Sequence, residues 1–112
     1  MKIGYCRVSS NEQTLSLQKD ALKKAGCDKI FSDTVSGAKA SRPGLDKCLE
    51  QLRQGDTLVV WRLDRLGRSL KHLLTLVEDF NAKGIGFVSL TESIDTTTSG
   101  GKLVFSIFGA IA

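Results

Sequence analysis

The sequence predicts an α/β domain with a mostly parallel β-sheet and flanking helices. Short β-favouring runs at Ile3–Val8, Lys29–Ser32, Thr57–Trp61 and Gly86–Leu90 are separated by segments of helical periodicity. That order places a helical crossover between successive strands, which parallel pairing requires. The third run, TLVVW, is apolar without alternation, as in a central strand covered on both faces. With 112 residues, 41% hydrophobic and 25% charged, and one proline, the chain suffices for a single core; a disordered tail, a collagenous fibre and a disulfide-built miniprotein are excluded.

The first strand runs into Ser9, Ser10 and Asn11, all good helix N-caps. From Gln13 to Ala25, the residues Leu15, Leu17, Ala21, Leu22 and Ala25 fall within an arc of roughly 160° at about 100° per residue, and Gly26 is placed to end the helix. Gln18 lies inside that arc, which requires a polar partner in the interior. The second strand leads into DTVSGAKAS, small and polar without periodicity, so residues 33–41 are expected to form a mobile loop. Pro43 suits the first turn of a helix in which Leu45, Cys48, Leu49 and Leu52 share a face, with Gly55 beyond its end. After RLDRLGR, Ser69 can cap a helix bearing Leu70, Leu73, Leu74, Val77 and Phe80 on one face and ending at Gly84. The closing KLVFSIFGAIA is apolar on nearly every side, more than one neighbour covers; it is expected to pack on another subunit or to continue in a longer chain.

Sixteen Lys and Arg against twelve Asp and Glu give a net charge of +4, a mild lean towards polyanions. Cys6, Cys27 and Cys48 have neither disulfide nor zinc-site spacing and read as reduced, partly buried thiols. No apolar run reaches the roughly 18 residues of a membrane span and the start lacks the zones of a signal peptide, so a cytoplasmic protein is expected.

In an open parallel sheet, ligands collect at the carboxyl ends of the strands. Those ends carry Arg7 and Ser9, then Asp33 and Ser36, then Arg62, Asp64, Arg65 and Arg68, then Glu92 and Asp95. Arginine presents a planar fork of permanent charge suited to a phosphate and to a phosphoryl-transfer transition state. On spacing alone, Ser9-x-x-Glu12 and Ser10-x-x-Gln13 each also fit a capping box, Asp64 and Arg68 fit an ordinary surface pair, and Arg42 fits a solvated helix start. His72 falls opposite the leucines of its helix and reads as solvated; Tyr5 and Trp61 read as core. Two other functions fit the residues: a metal-dependent nuclease or topoisomerase-like enzyme holding Mg²⁺ with Asp33, Asp64 and Asp95 or Glu92, and a non-catalytic phosphate-binding or dimerisation module.

Several motifs in order, GYCRVSS, VSGAKASRPGL, GDTLVVWRLDRLGRS and SLTESIDTTTSGGKLVF, resemble the catalytic domain of the serine recombinases, the resolvase and DNA invertase family, and lean towards its invertase branch. The resemblance covers essentially the whole chain. It implies a resolvase-like catalytic domain over residues 1–100 and, over 101–112, the start of a long dimerisation helix. It implies that Ser9 attacks a DNA phosphodiester to give a 5′-phosphoserine link and a free 3′-hydroxyl, without metal or nucleotide cofactor. Arg7, Arg42, Arg65 and Arg68 would surround the scissile phosphate, Asp64 would protonate the leaving oxygen, and Gln13, Gln18 and Ser36 would support the site. Family members continue into a helix-turn-helix domain and act as site-bound dimers that pair into a tetramer. A chain ending at Ala112 is therefore expected to lack sequence-specific DNA binding and full recombination. A transposase or large integrase using the same domain in another chain arrangement also fits.

Overall fold

The computed structural model describes residues 1–9, 15–35, 43–63, 66 and 69–111, without the side chains of Ser9, Leu15, Val35, Leu70, Phe108 and Ile111. Strands β1 (Lys2–Ser9), β2 (Lys29–Val35), β3 (Thr57–Val60), β4 (Gly86–Ser89) and β5 (Ile94–Asp95) form one sheet in the order β2-β1-β3-β4-β5. The first four pair in parallel, and β5 runs antiparallel to β4. The helices are α1 (Leu15–Lys24), α2 (Pro43–Gln51), α3 (Leu70–Ala82) and α4 (Ser99–Ile111).

Alternation along the strands divides the core into two layers. Ile3, Tyr5, Leu58, Val60 and Phe87 pack against Leu45 and Cys48 of α2 and Leu52 just past its end, Leu73, Val77 and Phe80 of α3, and Phe105 of α4. On the opposite face, Cys6 and Val59 meet Leu22 of α1. The unbroken apolar run of β3 follows from this: Leu58, Val59 and Val60 are all buried although they point to alternate faces.

The helix ends follow the sequence signals. Ser69 caps α3, its hydroxyl accepting from the His72 amide at 3.1 Å, and Gly26 and Gly84 take φ of 91° and 74° where α1 and α3 stop.

Several expectations are corrected. Strand β2 runs on through Asp33, Thr34 and Val35, so the front of the expected loop is sheet; the remainder, 36–41, lies outside the described residues. Leu17 is 55% exposed. The inward stripe is instead Gln18, Ala21 and Leu22 of α1 with Ala25 just past its end, at i, i+3, i+4 and i+7, and Leu17 stands about 40° outside the edge that Ala21 marks. Trp61 lies one residue past β3 and is half-buried, its ring beneath the Arg62 guanidinium at 4.7 Å. His72 is half-buried rather than fully solvated. Strand β5, only two residues long, falls below what periodicity resolves.

Candidate active site

The strand order reverses direction at β1: the chain moves outward to β2, then returns past β1 to β3 and β4. Such a reversal opens a crevice outside the carboxyl ends of the two strands on either side of it, here β1 and β3. The register deepens it. Strand β1 pairs with β3 only as far as Tyr5↔Val60, whereas its pairing with β2 continues through Arg7↔Asp33 to Ser9↔Val35. The last four residues of β1 therefore overhang the point where the chain leaves β3 to enter 61–68.

Arg7 and Ser9 are on that overhang, Ser9 as the last residue of the strand. Gln18 approaches from α1, fully buried, and its Nε2 donates to the Arg7 carbonyl at 3.2 Å. The polar partner demanded by an amide inside the apolar stripe is thus the backbone that holds Arg7. Gln13, Ser36, Arg42, Asp64, Arg65 and Arg68 lie outside the described residues.

Asp33 has a structural role that the local sequence did not reveal. It is buried, and its carboxylate accepts from the Tyr5 hydroxyl at 2.7 Å, the Gly44 amide at 2.8 Å and the Leu45 amide at 2.9 Å. It serves as a distant N-terminal cap for α2, offering negative charge to amides that have no helical acceptor. Gly44 has no room for a side chain: a Cβ there would lie 2.3 Å from the Ser32 carbonyl oxygen. This clasp ties the end of β2 to the residues just after Arg42 and Pro43. Asp33 lies about ten residues before α2, on β2, so a window confined to residues 40–46 does not include this capping carboxylate.

Of the carboxylates suggested for Mg²⁺, Asp64 lies outside the described residues, and Asp33 and Asp95 do not meet. Asp33 and Asp95 are on β2 and β5, the opposite edges of the sheet, four inter-strand spacings or roughly 19 Å apart. The Asp33 carboxylate is committed to three donors, and Asp95 Oδ1 accepts from the Thr97 amide at 2.9 Å and from its hydroxyl. Glu92 accepts from the Leu63 amide and the Ser89 hydroxyl. Among the described residues, no group of three or more His, Cys, Asp or Glu could hold a metal ion.

The three thiols are free, with Cys6 and Cys48 buried. Burial raises the pKa of each, Cys27 to about 11 and Cys48 to about 12, so none is a nucleophile near neutral pH.

Residues 2–112 match the family described as the resolvase N-terminal domain. The chain belongs to that family. This resolvase-type domain is 59% identical to the DNA-invertase of Escherichia phage P1 and 54% identical to the serine recombinase gin of Escherichia phage Mu, over all of its own length and 60% and 58% of theirs. It thus spans about three fifths of these curated relatives. Among solved structures it is similar to the N-terminal catalytic domain of TP901-1 integrase, with a TM-score of 0.81 and 35% identity, covering 99% of this chain and 93% of that one. Among the described residues of the resolvase-type domain, no helix is long and apolar enough to cross a membrane.

Proposed function

We propose that this domain cuts and rejoins DNA through a covalent serine intermediate. The observation that carries the proposal is the position of Arg7 and Ser9 on the β1 overhang, at the sheet's switch point and beyond the last β1–β3 pair, Tyr5↔Val60. Membership of the resolvase family supports it.

In the proposed reaction the Ser9 oxygen attacks the scissile phosphorus and passes its proton to a non-bridging oxygen of the substrate phosphate. The bond from phosphorus to the 3′-oxygen breaks, and Asp64 protonates that oxygen. Arg7, Arg42, Arg65 and Arg68 orient the phosphate and offset the charge that builds up in the pentacovalent transition state. Gln18 acts on the Arg7 backbone, and Gln13 and Ser36 complete the polar surround. The phosphoserine link keeps the bond energy, so rejoining after strand exchange reverses the same step without a nucleotide cofactor. In the whole protein, residues 1–100 form the catalytic domain and 101–112 open a helix joining two copies, with the DNA site read elsewhere in the chain. Dimers pairing into tetramers would cut four strands, in the cytoplasm where the DNA is.

The test is covalent trapping on a nicked duplex in the presence of chelator, with a DNA-reading domain of known site appended after residue 112. A denaturant-resistant adduct that disappears with Ser9→Ala and persists with Ser10→Ala is expected. An adduct lost only with Ser10→Ala would move the nucleophile. Cutting that depends on added Mg²⁺ and forms no adduct would overturn the serine mechanism.

A further inference from the structure

The turn after β4 grips the chain that leaves β3. The Leu90 amide donates to the Val60 carbonyl at 3.0 Å, and the Thr91 amide and hydroxyl both donate to the Trp61 carbonyl, at 2.9 and 2.6 Å. One residue on, the Glu92 carboxylate accepts from the Leu63 amide through both oxygens, at 3.3 and 3.4 Å, and from the hydroxyl of fully buried Ser89. Ser93 follows with φ of 55°, a left-handed conformation unusual for serine, which turns the chain sharply back towards β5. The Leu63 amide has left the β-ladder, and Glu92 supplies its acceptor from 29 residues away.

The chain is anchored again three residues further on, at Leu66. Leu66 is fully buried in the main core, and its amide donates to the Leu63 carbonyl at 3.1 Å. Asp64 and Arg65 are the two residues between these anchors.

We infer that Glu92, supported by Thr91, is a positioning residue for Asp64 and Arg65. The inference rests on the proposed function, in which Asp64 and Arg65 act on the scissile phosphate. Glu92 itself touches no reacting atom in this scheme; it holds the Leu63 amide, one residue before Asp64. Misplacing a catalytic group by about 1 Å can cost up to roughly 100-fold in rate, so a loosened anchor should affect the chemical step more than DNA affinity.

The experiment compares Glu92→Ala and Glu92→Gln in the appended chain, with three readouts: NMR amide exchange at Leu63, DNA affinity, and single-turnover adduct formation at saturating nicked duplex. Glu92→Ala is expected to speed Leu63 exchange and slow adduct formation about 10-fold while affinity changes less than about 2-fold. Glu92→Gln keeps an oxygen able to accept from the Leu63 amide and should recover to within about 3-fold of wild type. The inference is overturned if Glu92→Ala reacts at the wild-type rate, if its Leu63 amide stays protected, or if Gln and Ala lose rate equally. A wild-type chain whose adduct does not depend on Ser9 would instead overturn the serine mechanism, and the inference with it; the Leu63 exchange result tells the two failures apart.

Discussion

Asp33 spends one carboxylate on three donors, two of them backbone amides at the start of α2. Hydrogen bonds to a charged group contribute about 1.5–3 kcal/mol each, less when they share one acceptor, so Asp33→Ala should cost about 3 kcal/mol in urea unfolding. Tyr5→Phe, which removes only the hydroxyl, should cost about 1 kcal/mol. An Asp33→Ala protein as stable as wild type would show that the clasp contributes nothing. The thiols make a second prediction at this scale. Their folded pKa values are raised from 9.0, to about 11 for Cys27 and about 12 for Cys48. Below the unfolded value both states hold the proton and stability is unaffected. Between the unfolded and folded values only the unfolded chain ionises, so this contribution to stability is lost as pH rises from about 9 towards 12. Replacing Cys27 and Cys48 with Ala should flatten that alkaline decline. In the wild type, Cys48 should resist alkylation at pH 8 until the chain is unfolded.

At the scale of elements, α4 is seated by its first turn. The Thr98 hydroxyl accepts from the Gly101 amide at 3.0 Å, capping the helix, while the Thr98 amide donates to the Asp95 carbonyl at 3.2 Å. A Cβ on Gly101 would lie only 1.7 Å from that carbonyl oxygen. Gly101→Ala must therefore push α4 off β5 and is expected to destabilise by about 1–3 kcal/mol; calorimetry would check it. Strand β5 is extended by a side chain: the Phe87 amide donates to the Thr96 hydroxyl at 2.9 Å, and the Thr96 amide donates to the Phe87 carbonyl at the same distance. Two residues of ladder thus hold the element that carries α4.

For the whole molecule, the unbalanced surface is the outer side of α4. Phe105 is buried against the core, whereas Leu103, Val104 and Ile107 are 63%, 42% and 52% exposed. This is the excess apolar surface expected from the sequence. Covering each such side chain contributes up to about 1.5–3 kcal/mol, so the domain should self-associate with rising concentration in sedimentation analysis. The double variant Leu103→Lys, Ile107→Lys should stay monomeric with its melting temperature little changed. Equal association of both proteins would place the contact elsewhere.

The periodicities of the sequence determined the α/β class, four strands, the faces of α2 and α3, and the caps at Ser69, Gly26 and Gly84. Each depends on neighbours within one or two helical turns, and local sequence records such neighbours. The inward position of Gln18 was legible for the same reason, although its partner, the Arg7 carbonyl, was not. Arg7, Ser9, Arg65 and Arg68 were legible as strand-end candidates, but their separate roles came only through motif resemblance, because spacing alone fits a cap or a surface pair equally well. What the tertiary structure alone decided is which distant residues meet. The strand order placed the crevice between β1 and β3 and set Asp33 and Asp95 on opposite edges. It also spent Asp33 on α2 and put Glu92 beside Leu63. These juxtapositions arise from chain crossovers and strand register, which follow from the packing of the whole core rather than from any local stretch of sequence.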